Sequence, residues 1–96
     1  MTIPDKIKIG GLVYSVELVD TVDLTDHNTA GIVSYSLQKI LIDNHMGLDF
    51  TNKVFLHELL HVMFKHCGLD QDESVIDRLA YCLYEVLKEN DINFRE

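Results

Sequence analysis

The stretch VFLHELLHVMFKHCGLDQDESVID, which runs from Val54 to Asp77, decides how the whole chain is interpreted. Its first part contains neither glycine nor proline and is apolar on most sides, which predicts a largely buried helix over residues 52–67. Thr51 is expected to cap the start of this helix, because its hydroxyl can accept a hydrogen bond from a first-turn amide. Gly68 suits the left-handed conformation that ends a helix.

The last part of the stretch begins another predicted helix. Asp70 or Asp72 can cap it, and it is expected to reach about Glu89 and to pack antiparallel against the first helix. Its apolar residues recur at spacings of three and four, and Cys82 falls within this pattern as a small buried hydrophobe. The predicted apolar stripe consists of Val75, Ile76, Leu79, Ala80, Leu83, Val86 and Leu87.

The N-terminal half has the alternation that is typical of β-strands. KIKIGGLVYSVELV contains two alternating runs joined at Gly10–Gly11, and glycine accepts the positive φ that a two-residue hairpin turn requires. Two further β-prone runs, Ile32–Ser36 and Lys39–Ile42, follow a polar connection. The sequence therefore predicts an α+β fold, with a small antiparallel sheet of three to four strands followed by an antiparallel pair of helices.

The HELLH segment of the first helix carries the chemistry. Residues four apart lie on the same face of a helix, so the imidazoles of His57 and His61 can bind one Zn²⁺ ion. Glu58 projects beside that ion, where it can accept a proton from a water molecule that the ion activates. Two histidines and a glutamate are costly to bury in an apolar helix unless a metal or hydrogen bonds satisfy them, so the motif predicts a zinc site.

Two histidines are too few for a stable zinc site, so a third protein ligand is expected. Glu73 can reach the ion because the antiparallel hairpin brings the start of the second helix back past His61, with Asp77 one turn later to support a ligating histidine. The opposite assignment, with Asp77 as ligand and Glu73 in support, stays open. Cys67 is a third candidate, but Phe64 stands where the chain would have to turn. The remaining histidines receive no metal role: His27, His45 and His66.

The segments HELLH and DESVID together resemble the zinc-binding pattern of gluzincin-type metallopeptidases. Across nearly the whole chain, the order of elements is similar to that of the short phage and prophage relatives of the ImmA/IrrE metallopeptidase family. This resemblance implies a zincin-like minimal fold, with Glu73 as the third ligand and Asp77 in support. It also implies a peptidase that acts on a protein or peptide substrate, with a repressor-type regulator as one candidate. The spacing from His61 to Glu73 is shorter than in large gluzincins, and Asp72 replaces an asparagine often found there.

Composition restricts the class of protein. At 96 residues the chain is expected to be one domain spanning 1–96. The net charge of -8, with no Lys/Arg cluster, argues against nucleic acid as a partner and therefore against RNA hydrolysis. No run approaches the roughly twenty apolar residues of a membrane span, so we expect a cytoplasmic protein with no membrane partner. The two cysteines form no CxxC pair, which excludes a four-thiolate zinc site.

Two functions compete for this pattern. A zinc metallopeptidase would use Glu58 as the general base and Tyr35 as a candidate donor to the developing oxyanion. The strand Lys39–Ile42, if it lies at the sheet edge, could pair with an extended peptide. A non-enzymatic interaction module of phage or prophage origin would use the same ligands only to hold the two helices together. Because Glu58 would have no task in such a module, we expect the metallopeptidase.

Overall fold

The computed structural model describes residues 2–26 and 28–92 and contains a four-stranded sheet followed by two helices. In chain order the elements are β1 (Lys6–Ile9), β2 (Leu12–Val19), β3 (Gly31–Ser34), β4 (Lys39–Asp43), α1 (Leu48–Cys67) and α2 (Glu73–Glu89). This architecture confirms the α+β class and the order of sheet and helices that the sequence predicts. His27 lies outside the described residues.

The first hairpin forms at the predicted glycines. Ile9 and Leu12 are paired across the turn, and Gly10 and Gly11 have φ values of 56° and 84°, which other residues rarely adopt. Gly10 also lies against the ring of His66 in the last turn of α1, and a Cβ at this position would overlap that ring. The glycine pair therefore permits both the turn and the close contact between hairpin and helix.

The strand order is β1-β2-β4-β3, with β2 and β4 parallel and the other neighbours antiparallel. The prediction of a purely antiparallel sheet is therefore wrong. The chain leaves β2 through the connection 20–30, returns as β3, and then inserts β4 between β3 and β2 in the direction of β2. Alternating hydrophobicity specifies which side chains face the core, but it does not specify which strands are neighbours.

Helix α1 begins earlier than the sequence predicts. Gly47 occupies the N-cap position, and the hydroxyl of Thr51 donates to the carbonyl oxygen of Gly47 at 2.8 Å from within the first turn. The assignment of Thr51 as the cap is therefore wrong, because its hydroxyl bonds back to the preceding turn. The end of the helix is as predicted: Gly68 has a φ of 73°, and its amide donates to the carbonyl oxygen of Lys65.

Helix α2 begins where one of the two predicted caps places it. The carboxylate of Asp72 accepts hydrogen bonds from the amides of Ser74 and Val75 at 2.9 and 3.2 Å. The helix packs on α1 and buries three side chains: Ile76, Ala80 and Tyr84. Tyr84, which is 5% exposed, was not part of the predicted stripe.

Part of the predicted apolar stripe of α2 is exposed to solvent. Val75, Leu79 and Val86 are 45%, 43% and 42% exposed, and Cys82 is exposed as well. The expectation that Cys82 is buried is therefore wrong, and the stripe is wider than the face that packs on α1. The reason is that, among the described residues, α1 is the element on which α2 packs extensively, and no further layer covers the flank of α2.

The core lies between one face of the sheet and the two helices. Its fully buried side chains come from three elements: Ile40 and Ile42 from β4, Val62 from α1, and Ile76 from α2. Because α1 is packed against the sheet and against α2, its orientation is fixed, and so is the direction in which His57 and His61 face. Within the described residues, neither helix combines the length and the hydropathy that crossing a membrane requires.

A polar cluster joins the first turn of α1 to the last turns of α2. The hydroxyl of Tyr84 donates a 2.5 Å hydrogen bond to Oδ1 of Asp49, and Nζ of Lys88 lies 3.1 Å from the same oxygen. The hydrogen bond from Tyr84, followed by that from Lys88, lowers the pKa of Asp49 below its ordinary value. The cluster therefore depends on the ionised form of this carboxylate.

We predict that Asp49→Asn lowers the free energy of unfolding at neutral pH. We also predict that this free energy then changes less as the pH is lowered into the acidic range. Because the folded-state pKa of Asp49 is lowered, its contribution is present above the ordinary pKa of 3.8 and is lost as the pH falls through the lower folded-state value. Urea denaturation from neutral pH down to about pH 3 measures this dependence. Tyr84→Phe should weaken it too, and equal pH dependence in wild type and Asp49→Asn would contradict the assignment.

Candidate metal centre

His57 and His61 face each other one turn apart on α1. Their ring centroids are 5.0 Å apart, and their Nε2 atoms are 3.2 Å apart. The two side chains are 22% and 13% exposed, so both rings are largely shielded from solvent. The four-residue spacing on a helix produces this approach, because it places both side chains on one face.

Glu73, the first residue of α2, brings a carboxylate to the same point. Its Oε2 lies 3.1 Å from Nε2 of His57, and its Oε1 lies 2.6 Å from Nε2 of His61. Two donors bound to one tetrahedral zinc ion at about 2.0–2.1 Å stand roughly 3.3 Å apart, so these atoms have nearly the spacing of three ligands around one ion. The cap by Asp72 fixes where α2 begins and thereby places Glu73 beside the histidines.

The other ring nitrogens, Nδ1, have partners that orient the imidazoles. Nδ1 of His57 lies 3.4 Å from Oδ1 of Asp77, and Nδ1 of His61 lies 2.5 Å from Oε1 of Gln71. An oxygen that accepts the Nδ1 proton leaves the lone pair of Nε2 free for a metal. Asp77 is where the sequence places a supporting carboxylate. Gln71 was missed, because it lies in the link between the helices and no helical spacing relates it to His61.

This arrangement favours a positive charge between the three groups. With a proton on each Nδ1, the Nε2 lone pairs of His57 and His61 and the carboxylate of Glu73 face one another at 2.6 to 3.2 Å and repel. One metal ion bound by all three removes that repulsion, and so does a single proton on one Nε2 that is shared with its neighbours. A second proton on both rings would place two positive charges side by side. The donor set fits Zn²⁺, for which imidazole nitrogen and carboxylate oxygen are usual ligands.

Glu58 is buried beside the histidines, with only 6% of its surface exposed. No hydrogen bond or ion pair from another described residue holds its carboxylate, which lines the adjoining cleft. Burial raises the pKa of Glu58, while His57 and His61 act in the opposite direction. The ligand-type atoms of these three residues lie within 4.8 Å of one another, so Glu58 is an alternative third donor. Glu73 is favoured because its oxygens already contact both Nε2 atoms.

A cleft of about 280 Å³ opens beside the site, between α1, α2 and the start of β3. Its lining is Ala30, Gly31, Phe50, Lys53, Val54, His57, Glu58, Glu73, Asp77, Ala80 and Tyr81. The strand approaches the helix closely at Gly31, where a Cβ would lie 2.7 Å from Cγ1 of Val54 and 3.1 Å from Cγ of Glu58. This close packing restricts where the side chain of Glu58 can point.

Tyr35 and Cys67 are not part of the cleft lining. The hydroxyl of Tyr35 lies 3.2 Å from Oε1 of Gln71 and 3.4 Å from the carbonyl oxygen of His61. These contacts place Tyr35 behind Gln71, and its oxyanion role stays a prediction. Cys67 is exposed at the last residue of α1 and does not belong to the group of potential metal ligands found among the described residues.

Comparisons of this chain with protein-family models, with curated proteins and with solved structures found no match. The resemblance to the ImmA/IrrE family therefore stays a prediction, and so does the substrate that it implies. The function has to be inferred from the geometry and the chemistry of the site.

We predict that Gly31→Ala lowers the free energy of unfolding by about 1–3 kcal/mol, because the new Cβ would lie 2.7 Å from a methyl group of Val54. In the double variant Gly31→Ala/Val54→Ala part of the loss should be recovered, since the clashing methyl is gone. Urea denaturation of wild type, both single variants and the double variant gives the coupling energy. Strictly additive effects would contradict the close packing of β3 on α1.

Proposed function

We propose that this protein is a zinc-dependent metallopeptidase that hydrolyses a peptide bond in a protein or peptide substrate. The proposal is supported by one observation above all. Two imidazole Nε2 atoms and a carboxylate converge at 2.6 to 3.2 Å, beside a buried glutamate that no other described residue holds by a hydrogen bond or ion pair. The HELLH segment thus supplies two metal ligands and a proton acceptor, which is the division of roles in HExxH metallopeptidases.

The proposed mechanism separates metal binding from proton transfer. His57, His61 and Glu73 would hold the ion. Bound zinc polarises a carbonyl group and lowers the pKa of water. The carboxylate of Glu58 accepts a proton from the attacking water, whose oxygen forms a bond to the carbonyl carbon of the peptide. Glu58 then delivers the proton to the leaving amine as the C–N bond breaks.

The cleft and the edge of β3 suit an extended peptide. Ala30 and Gly31 line the cleft, and β3 continues from them as an edge strand that pairs only with β4 among the described residues. A substrate strand that bonds to the main chain of β3 would pass beside Glu58. The assignment of this role to Lys39–Ile42 from the sequence is wrong, because that strand is paired on both sides.

A non-enzymatic, zinc-stabilised interaction module is the second candidate. One observation favours it: the proposed ligands come from both helices. A bound ion would therefore also stabilise the packing of α1 against α2. A purely stabilising ion gives no reason to bury Glu58 beside it without a partner, since an unpaired carboxylate is costly to bury. For this reason the peptidase is preferred.

We predict that Glu58→Gln abolishes peptide hydrolysis and leaves the zinc content and Tm close to those of wild type. Glutamine keeps the shape of the side chain but cannot accept the proton of water, and the ion keeps its three ligands. Mass spectrometry of a diverse peptide library incubated with the zinc-loaded protein measures cleavage, while metal analysis and thermal melts monitor the fold. Turnover that survives this substitution would reject Glu58 as the general base.

The same library distinguishes the two candidate functions. Cleavage by wild type that disappears on chelation and returns with zinc supports the peptidase. A protein whose Tm rises on zinc binding but which cleaves no peptide in the library favours the interaction module.

We predict a graded loss of zinc affinity across the site. His57→Ala and Glu73→Ala remove ligands and should reduce the bound zinc to background. Asp77→Ala and Gln71→Leu should weaken binding by about 10- to 100-fold, because these residues only orient the imidazoles. Competition with a chromophoric chelator measures the affinities, and His66→Ala, an exposed histidine away from the cleft, is the control. Loss of zinc in Asp77→Ala but not in Glu73→Ala would reverse the roles of the two carboxylates.

A further inference from the structure

An exposed apolar stripe runs along α2 on the side that does not contact α1. It consists of Val75, Leu79, Cys82 and Val86, and we refer to these four residues as the α2 stripe. Val75, Leu79 and Val86 are 45%, 43% and 42% exposed, and Cys82 is exposed as well. At about 100° per residue they fall within roughly 60° of arc, and their spacings of four, three and four are those of a coiled-coil seam. The stripe adjoins the core-facing residues of the helix rather than being scattered over its surface.

Two opposite charges border the α2 stripe along its solvent side. Arg78 and Glu85 are both exposed and stand seven residues apart, so they lie on the same flank of the helix, two turns from each other. No ion pair to another described residue engages either of them. The flank thus carries one positive and one negative charge, and the point midway between them lies between residues 81 and 82, near the middle of the stripe.

We propose that the α2 stripe is the contact surface for a second copy of this chain, in an antiparallel two-fold dimer. A two-fold axis that crosses each helix between residues 81 and 82 places Arg78 opposite the partner's Glu85, and Glu85 opposite the partner's Arg78. The stripe residues of the two copies then interdigitate as the apolar seam, and both flanking charges are neutralised. The charge pattern of α2 is therefore complementary to itself in this orientation.

The opposite orientation lacks this complementarity. A parallel pair would place Arg78 beside Leu83 of the partner subunit, where an apolar neighbour gives no counter-charge. The antiparallel dimer also leaves the cleft accessible. Asp77 and Tyr81, which line the cleft, are separated from the α2 stripe by the core-facing residues of the helix. The proposal is therefore independent of the metal site and of the proposed peptidase activity.

The interface is small, which sets the expected affinity. About three turns of helix on each side fall at or below the low end of specific interfaces, about 1,200 Å² in total, so the dimer should form at micromolar rather than nanomolar concentration. The net charge of -8 on each copy adds a repulsion that salt screens beyond about 8–10 Å, so association should be measured at physiological ionic strength.

A charge-swap experiment on the full chain tests the pairing. Sedimentation equilibrium from about 1 to 500 μM measures the dimer Kd of wild type. Arg78→Glu and Glu85→Arg should each weaken the dimer about tenfold, because two attractive pairs become repulsive. The double variant restores opposite charges and should return to within about threefold of wild type. Circular dichroism confirms that the variants, which change only exposed positions, remain folded.

Cross-linking tests the register with a readout of its own. The proposed axis brings the two Cys82 thiols together across the seam, so a short bis-maleimide should link them. The linked dimer should persist in Cys67→Ser and disappear in Cys82→Ser. A wild type that stays monomeric throughout, or a double variant that fails to restore the dimer, would overturn the proposal. A monomer that associates only after removal of residues 93–96 would also overturn it, since the C-terminal tail would then be the occupant of the stripe.

Discussion

The convergence of two imidazoles and a carboxylate at one point between the two helices is the constraint on which the candidate site depends. The Nε2 atoms of His57 and His61 are 3.2 Å apart, and the carboxylate of Glu73 approaches both. The two imidazoles are carried by a helix that is packed on the sheet and on α2, whereas the side chain of Glu73 is 70% exposed. The metal would therefore join a rigid pair of ligands to an adjustable one, which couples the start of α2 to the core.

The geometry of the candidate site depends on residues outside the proposed ligand set. Gly31 lets β3 approach α1 at the turn that carries Glu58, and Asp72 fixes the first residue of α2. Gln71 then accepts from Nδ1 of His61, and the hydroxyl of Tyr35 lies within hydrogen-bonding distance of the same amide oxygen. Orientation of an imidazole through its second nitrogen is a general requirement of metal sites, and this chain meets it from the link between the helices.

Features that depend on neighbouring residues could be predicted from the sequence. The hairpin at Gly10–Gly11, the end of α1 at Gly68 and the cap at Asp72 each follow from backbone conformation or local hydrogen bonding. Thr51 was misassigned because a hydroxyl can accept from a free amide or donate to the preceding turn, and the sequence does not distinguish these.

Features that depend on distant segments could not be predicted in the same way. The parallel pairing of β2 with β4 results from the path of the connection 20–30, which leaves no trace in the alternation of either strand. Helical periodicity marked Cys82 as apolar, but burial requires a partner element, and α1 covers only one face of α2. Gln71 contacts His61 across the interhelical link, where no periodicity applies.

Glu58 favours catalysis more strongly than the proposed metal ligands do. The residue Glu58 as a whole is only 6% exposed, and its burial raises the pKa of its carboxyl group. A structural ion could offset the free energy of burying a carboxylate by binding it directly. Here, however, Glu73 already provides the carboxylate that contacts both imidazoles. The buried carboxylate of Glu58 instead lines the cleft, with no hydrogen bond or ion pair from the described residues to immobilise it. The carboxylate of Glu58 is therefore free to exchange a proton with water in the cleft, as a general base beside a metal must be.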